Sequence, residues 1–267
     1  MLTRIISGAA LVVILGSALF FGGYYLWALC IFISIIGMRE LLKVFRAPEE
    51  RENFKPDRLD IVGFVCAAAY YALIYDFKEE KTFFYFIIAA LIAGMCVFVV
   101  SFPKFTALRF ITTYFAFIYV AVMISFIYLT RSSEKGIYTV WLIFITSWVC
   151  DTCAYFSGVA LGKHKLAPVL SPKKSVEGAV GGVIGSALVG YIYGYIIGGY
   201  GISYCMICAI GAVLSQFGDL FASAIKRNYD IKDYGRLIPG HGGVLDRFDS
   251  VIVTAPVIYI LSRFFQG

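Results

Sequence analysis

Apolar runs of about twenty residues recur along this chain and constrain its fold more than any other feature. An apolar run of about 18 or more residues is long enough to cross a bilayer as a helix. Together with a content of 60% hydrophobic residues and a mean hydropathy of +0.83, these runs predict an all-α integral membrane protein with about nine transmembrane helices. The predicted spans are residues 5–22, 24–43, 61–75, 83–101, 107–129, 138–161, 175–199, 202–226 and 248–264.

The Lys and Arg residues are unevenly divided between the two sides of the membrane in a nine-span arrangement. Counting along the connectors places 18 of them on the side of the N-terminus and 5 on the opposite side. Because connectors rich in Lys and Arg stay in the cytoplasm, the count predicts a cytoplasmic N-terminus and a C-terminus outside.

The two halves of the chain differ in character. From Trp141 onward, ionisable residues and glycines become frequent within the helices. We therefore divide the chain into N-terminal transmembrane helices, residues 1–135, and a C-terminal catalytic region, residues 136–267.

One cytoplasmic connector, with the helix ends beside it, is far more charged than the rest of the chain. Residues 223–249 hold five Lys and Arg, one His and four carboxylates, whereas only 15% of the whole chain is charged. A charge at membrane depth is costly unless it is paired, hydrated or bound to an ion, so such residues point to function. The stretch predicts a site for a polyanionic ligand at the cytoplasmic membrane surface.

Asp219 lies in an apolar helix about seven residues from its predicted cytoplasmic end, a depth of roughly 10 Å. Ser215, Ser223 and Lys226 share its helix face, because the four residues recur at i, i+4, i+8 and i+11. Such a polar stripe is expected to line a wet cleft. The alternative is a structural ion pair between Asp219 and Lys226.

Asp151 makes a parallel case in the sixth span. Ser147, Tyr155 and Gly158 are expected on its helix face, and Lys163 follows twelve residues later. A straight helix would then place the carboxylate about 18 Å deep. A carboxylate at that depth needs water, a cation or a basic partner, and a structural pair is the alternative to a functional one.

The segment before the seventh span is predicted to bind phosphate. Ser171 followed by Pro172 fits the start of a helix, and the free amides of a helix N-terminus suit phosphate. Lys173 and Lys174 add full charges there, with ordinary membrane anchoring as the alternative. The basic residues at 163–165 have no such geometry and are interpreted as anchors.

A glycine run at residues 239–243 can bring backbone amides close to a ligand, because glycine leaves the backbone unobstructed. Asp246 and Asp249 follow it three residues apart. Mg²⁺ usually binds through one or two carboxylates and the substrate phosphates. Together with Asp219 and Asp151, these residues predict a Mg²⁺ site with room for a second cation. His241 is interpreted as a structural or phosphate-contacting residue rather than a general base.

Three other patterns are interpreted as structural features and not as parts of a reactive site. Cys150-x-x-Cys153 and Cys205-x-x-Cys208 have a spacing known from zinc and redox sites, but they lie in apolar helices, where Cys acts as a small hydrophobe. Small residues that recur every four positions in 178–198 favour close helix packing, within the chain or across a dimer. Residues 46–60 are predicted to form a solvated linker, with docking of anionic lipid headgroups as the alternative.

The charged stretch also resembles the signature of a known family. The run Ser223-x-x-Lys-Arg227, Lys232-Asp-x-Gly235, Pro239-Gly-His-Gly-Gly243 and Asp246-Arg-x-Asp249 is similar to that of phosphatidate cytidylyltransferases (CDP-diacylglycerol synthases). Two upstream segments, 151–158 and 171–178, resemble the family as well, although it more often has Thr and an aromatic residue at positions 175 and 176. The specific resemblance covers residues 147–250.

The resemblance implies an enzyme of phospholipid biosynthesis that condenses CTP with phosphatidic acid, with Mg²⁺ required, to give CDP-diacylglycerol and pyrophosphate. It implies a homodimer in the bacterial cytoplasmic (inner) membrane with its site facing the cytoplasm, and no nucleic-acid partner. The implied catalytic residues are Asp219, Lys226, Asp246 and Arg247; the substrate-binding residues are Lys173, Lys174, Ser175, Ser223, Arg227, Lys232, Gly240, His241, Gly242 and Gly243; and the metal ligands are Asp151, Asp219, Asp246 and Asp249.

Two other functions fit parts of the sequence. A CTP-dependent polyprenol kinase would also combine many helices with nucleotide-binding loops. An ion- or proton-coupled transporter could use Asp151 and Asp219 along its path. The glycine loop and the clustered basic residues argue against a cation path, and the absence of a sequence repeat argues mildly against duplicated transporter halves.

Overall fold

The computed structural model describes residues 2–76, 80–240 and 242–266, which form α-helices and one short β-hairpin. The helices are α1 (Leu2–Phe21), α2 (Gly23–Val44), α3 (Pro48–Glu52), α4 (Arg58–Asp76), α5 (Glu80–Val100), α6 (Ala107–Ala116), α7 (Met123–Arg131), α8 (Gly136–Phe144), α9 (Cys150–Leu161), α10 (Val176–Gly198), α11 (Gly201–Asn228) and α12 (Leu245–Gln266), and the strands are β1 (Lys165–Ala167) and β2 (Ser171–Ser175).

Most of these helices are long and apolar enough to cross a membrane. Within the described ranges, eight candidate spans are Gly23–Val44, Arg58–Asp76, Lys81–Val100, Ala107–Arg131, Gly136–Leu161, Val176–Gly198, Gly201–Asn228 and Leu245–Phe265. The shorter apolar helix Ile6–Phe21 adds a ninth. The prediction of an all-α membrane protein with about nine spans is confirmed, and the orientation of the termini stays a prediction.

Two spans are not regular α-helices throughout. Phe117–Val122 joins α6 to α7 as a π-helix, and Ile145–Val149 joins α8 to α9 in the same way. A π-turn takes up an extra residue and so shifts the faces of the helix beyond it. Ser147 is buried and donates to the Ile143 carbonyl at 2.9 Å, whereas Asp151 is exposed. The two side chains differ in burial, and the prediction that they share one helix face stays a prediction.

The glycines of α10 allow it to pack closely between α9 and α11. A Cβ on Gly182 would lie 2.8 Å from the Cys150 carbonyl oxygen, and one on Gly190 would lie 2.8 Å from the Tyr204 carbonyl oxygen. The glycine repeat thus serves close packing within the chain. All seven cysteines are free thiols, and the packing interpretation of the two Cys-x-x-Cys pairs stays a prediction.

The segment before α10 is a hairpin and not a helix start. Strands β1 and β2 pair antiparallel, with Lys165 opposite Ser175 and Ala167 opposite Ser171. The helix begins only at Val176, where the Ser175 hydroxyl accepts a hydrogen bond from the Gly178 amide at 3.1 Å. The prediction that Ser171 opens the helix is wrong, because Ser175 supplies the N-cap hydrogen bond that ends the strand and starts the helix.

The linker at 46–60 is more ordered than predicted. Arg46 donates to Asp57 at 2.8 Å and to Asp60 at 2.5 Å, and Arg109 of α6 donates to the same carboxylates at 2.8 and 3.1 Å. The Asp60 side chain is fully buried. Burial raises the pKa of Asp57, but the hydrogen bonds from Arg109 and Arg46 outweigh it and leave that pKa below its ordinary value. The linker is therefore fixed to α6 by buried ion pairs.

The last helix connects the two halves of the chain. Helix α12 packs against α11 and also against α2, α7 and α8. Val251, Ile252 and Ala255, along its inner face, are fully buried. The first two turns of α12 carry two of the predicted site carboxylates, so both halves contribute to the surroundings of the site.

Candidate active site

A lysine from the hairpin meets a carboxylate from α11. The Lys174 ammonium at the end of β2 forms an ion pair with the Asp219 carboxylate. Both side chains are about one quarter exposed, at 28% and 24%, so the pair lies at an accessible edge. The alternative prediction, an ion pair between Asp219 and Lys226, is wrong, because Asp219 pairs with Lys174 of β2 and Lys226 pairs with Asp246 of α12.

A second lysine is shared by the two carboxylates of α12. The Lys226 ammonium lies 3.0 Å from an Asp246 oxygen and 3.8 Å from an Asp249 oxygen. It also lies over the ring of Tyr234, 5.2 Å from the ring centre. Lys226 is largely buried, at 13% exposed, and an ammonium in such a place is stable because carboxylates and an aromatic face surround it.

Asp246 organises the glycine loop. One of its oxygens accepts hydrogen bonds from the Tyr234 amide at 2.8 Å and the Gly243 amide at 3.0 Å. The other accepts from Lys226, and only 2% of the side chain is exposed. With both oxygens engaged, Asp246 ties the glycine loop, described at residues 234–240 and 242–243, to α12.

The loop itself has the backbone conformations that glycine permits. Gly240 and Gly242 have φ values of +77° and +88°, a region that other residues rarely adopt, and Ile238 forms a short antiparallel bridge with Gly242. Gly243 donates its amide to Asp246, so its predicted role as a phosphate donor is replaced by an internal one. The predicted residue His241 lies outside the described residues.

Glu177, a carboxylate that sequence reasoning missed, holds the hairpin next to Ser175. The Ser175 hydroxyl caps α10, and this side chain lies against Gly158 and Gly162. Lys173, two residues earlier, is exposed. Glu177 accepts from the amides of residues 163 and 164 and contacts the His164 ring at 2.6 Å. His164, which was interpreted as a membrane anchor, thus also holds the hairpin to α10 through its ring and amide.

The remaining predicted basic residues lie around the site rather than in it. Arg227, Lys232 and Arg247 are exposed, and the Arg227 guanidinium donates to the Ile231 carbonyl at 3.3 Å. Ser223 is half-buried on α11. The three exposed side chains are available to a ligand in solution, and within the described residues none of them forms an ion pair with Asp219, Asp246 or Asp249.

Tyr119 joins the site from the N-terminal half and was missed by the sequence analysis. It lies in the π-helical segment 117–122, and its buried hydroxyl has no hydrogen-bond partner among the described residues. It interacts electrostatically with Asp249 and Asp219, which are also within electrostatic range of each other and of Asp151. An aromatic residue in an apolar span gives no signal of such a role from sequence alone.

Glu40 is a second residue that the sequence analysis missed. It lies on α2 and accepts hydrogen bonds from the Val244 and Leu245 amides at 3.0 and 2.8 Å. These amides belong to the start of α12, which explains why the helix begins three residues before the predicted span. A carboxylate within an apolar span was the available signal.

The carboxylates of the site supply only part of the ligands that a metal ion needs. Among the described residues no three His, Cys, Asp or Glu side chains converge closely enough to hold a metal by themselves. Asp219 and Asp249 nonetheless supply hard oxygen ligands next to two lysines. That arrangement suits Mg²⁺, which takes one or two carboxylates and completes its shell with phosphate and water oxygens.

A family model described as the cytidylyltransferase family matches residues 2–265 of this chain. Proteins named phosphatidate cytidylyltransferase are similar to its sequence. The one from Staphylococcus saprophyticus is 37% identical over 141 residues, which is 52% of this chain and 54% of that protein. The Staphylococcus aureus strain COL protein is 36% identical over 146 residues, or 54% and 55%.

A relative of the same name from Thermotoga maritima is 32% identical over 159 residues, which is 57% of this chain and 58% of that protein. The chain spans about half the length of the curated relatives it matches. These matches confirm the family resemblance, and the family model extends it from residues 147–250 to residues 2–265.

Proposed function

This chain belongs to the cytidylyltransferase family, and from that premise we propose that it condenses CTP with phosphatidic acid to give CDP-diacylglycerol and pyrophosphate. The observation that carries the proposal is the pair of lysine–aspartate contacts, Lys174 with Asp219 and Lys226 with Asp246, beside a glycine loop at the end of membrane helices. Relatives with the matching name support the choice of substrates.

In the proposed reaction, an oxygen of the phosphatidate phosphate forms a bond to the α-phosphorus of CTP. The bond between that phosphorus and the oxygen bridging to the β-phosphorus breaks, and pyrophosphate leaves with the electron pair. The nucleophile is already anionic at neutral pH, so no side chain needs to remove a proton. Catalysis then depends on holding the two phosphates in line and offsetting their repulsion.

The lysines of this chain are suited to that task. Lys174 lies at the accessible edge formed by β2 and α11, and Lys226 lies deeper, between α11 and α12. Two ammonium groups on separate elements can contact two different phosphates. Lys173, Arg227, Lys232 and Arg247 are exposed and would attract the polyanionic nucleotide from solution.

We propose Asp219 and Asp249 as the residues that would hold Mg²⁺, with Asp151 next to them and room for a second cation. Bound there, the ion would offset the charge that develops on the transferring phosphate. Asp246 would act beside these ligands by holding Lys226 and the loop. The phospholipid pathway, the cytoplasmic orientation and the homodimer are proposed on the family resemblance.

The decisive experiment incubates the purified protein with labelled CTP, phosphatidic acid and Mg²⁺ and measures label in the lipid phase. We expect lipid-soluble product that depends on all three additions. Label transferred only to an isoprenoid alcohol would replace the proposal with a polyprenol kinase. Ion flux in liposomes without turnover of CTP would replace it with a transporter.

A further inference from the structure

Glu40 holds the start of α12 from the opposite half of the chain. Its two carboxylate oxygens accept hydrogen bonds from the Val244 and Leu245 amides, at 3.0 and 2.8 Å across more than 200 residues of sequence. The first amides of a helix have no partner within the helix. Glu40 therefore acts as a cap that is supplied by another span.

The loop is shaped to receive this carboxylate. A Cβ on Gly235 would lie 2.2 Å from one Glu40 oxygen, and a Cβ on Gly243 would lie 2.5 Å from the other. Both distances are too short for any side chain. Glycine at these two positions thus allows the loop backbone to close around Glu40.

Two carboxylates hold the loop from opposite sides. Glu40 binds the amides that follow the loop, and Asp246 binds the Tyr234 and Gly243 amides. Asp246 in turn holds Lys226. A displacement at Glu40 would therefore be transmitted to Lys226 and to the start of α12, where Asp246 lies in the first turn and Asp249 in the second.

We propose that Glu40 is a positioning residue for the reaction, which sets the places of Asp249 and Lys226 without touching either substrate. The inference rests on the proposed function. Glu40 is only 8% exposed and both of its oxygens are engaged, so it does not itself reach the phosphates. It acts through the backbone of the glycine loop.

The test compares Glu40→Gln with Glu52→Gln. Both residues line one open cleft of about 620 Å³. Glu52, however, is exposed, and the Val244 and Leu245 amides donate to Glu40 instead. Glutamine at position 40 loses one acceptor and the charge. We expect kcat to fall about 10- to 100-fold, with KM for CTP changing less than about threefold, and Glu52→Gln to match the wild type.

Hydrogen exchange provides a readout that does not depend on turnover. In Glu40→Gln, peptides covering residues 234–248 should exchange faster, whereas peptides covering α9 and α10 should keep the wild-type rate. Glu40→Asp keeps the charge on a shorter side chain. Its exchange rate over residues 234–248 should lie between those of the wild type and Glu40→Gln.

Three outcomes would overturn the proposal: wild-type kcat in Glu40→Gln, faster exchange along the whole chain, or loss of monodisperse protein in both variants at position 40. If the wild type makes no CDP-diacylglycerol, the proposed function fails, while the exchange comparison still decides whether Glu40 holds the loop.

Discussion

Asp219 and Asp246 are the same residue type in opposite surroundings, and the difference separates their roles. Asp219 is 24% exposed and pairs with one lysine, whereas Asp246 is 2% exposed and accepts from a lysine and two amides. An accessible carboxylate with spare acceptor capacity can take a ligand. A buried and fully engaged one holds the fold around it.

We expect Asp219→Asn to abolish measurable turnover while leaving the unfolding temperature in detergent close to that of the wild type. The substitution removes a charge at an accessible edge and leaves the backbone contacts of α11 intact. Asp230→Asn is the matched control, because Asp230 is exposed and its φ of +52° suits Asn. Turnover above about a tenth of the wild-type rate would remove Asp219 from the site.

Asp246→Asn should instead reduce both turnover and stability. An amide nitrogen in place of one carboxylate oxygen would face the Lys226 ammonium or the loop amides, and each unsatisfied buried donor costs about 1–3 kcal/mol. Thermal unfolding in detergent measures the loss. An unfolding temperature equal to that of Asp219→Asn would contradict the structural role of Asp246.

Residue roles could be predicted from sequence only where local spacing determines them. Helix periodicity joined Asp219 to Lys226 on α11, and both belong to the site. It could not show that Asp219 pairs with Lys174, because that contact depends on how the hairpin folds back. Ser175 looked like a ligand residue, but its hydroxyl is used as a helix cap.

At the scale of elements, the close approach of α10 to α9 depends on small residues. We expect Gly182→Ala to destabilise the protein by about 1–3 kcal/mol, because the new methyl would lie 2.8 Å from a backbone oxygen of α9. Gly16→Ala in α1 is the control, since a Cβ there meets nothing within 4 Å. Unfolding in detergent checks both, and equal stability of the two variants would contradict this packing.

The ion pairs of the 46–60 linker predict a dependence of stability on pH. The pKa of Asp57 is lower in the folded protein than in the unfolded chain, so the folded state gains stability above the unfolded pKa, about 4, and loses it as the pH falls through the folded value. We expect the unfolding temperature to drop below about pH 4.

The drop should be smaller in Asp57→Asn, which has no carboxylate to protonate at that position. Glu50→Gln is the control, because Glu50 is 62% exposed and lies 4.0 Å from Arg46. It should follow the wild-type profile. An Asp57→Asn profile that coincides with the wild type would exclude this contribution.

Hydropathy predicted where most helices begin and end. The prediction failed where backbone hydrogen bonds to another element determine the end of a helix. The apolar run at 248–264 could not reveal that α12 starts at Leu245, because Glu40 stabilises that start from another span. The π-helical segment Ile145–Val149 likewise could not be predicted from hydropathy, because an apolar run does not distinguish a π-turn from a regular α-helix.

At the scale of the whole molecule, the distribution of Lys and Arg predicts the orientation. A reporter enzyme that is active only outside the cytoplasm should be active when fused to the C-terminus and inactive when inserted after residue 52. Activity at both positions, or only at the second, would contradict the predicted topology.

The number of spans followed from sequence because it depends only on length and hydropathy. The assembly of the site from distant segments did not, since Glu40, Tyr119, Lys174 and Asp249 come from four different helices or strands. The division of the chain at residue 135 stays a prediction, and contacts of α12 with α2 and α7 join the halves on either side of it.

The contact between Lys174 and Asp219 also means that each of the two side chains is the other's counter-ion. A phosphate that binds Lys174 would compete with Asp219, and the carboxylate would then lose the charge of its lysine partner. A cation that arrives with the phosphate restores neutrality. Nucleotide and cation are therefore expected to favour each other's binding reciprocally, and in the proposed reaction the return of Lys174 to Asp219 would assist the departure of pyrophosphate.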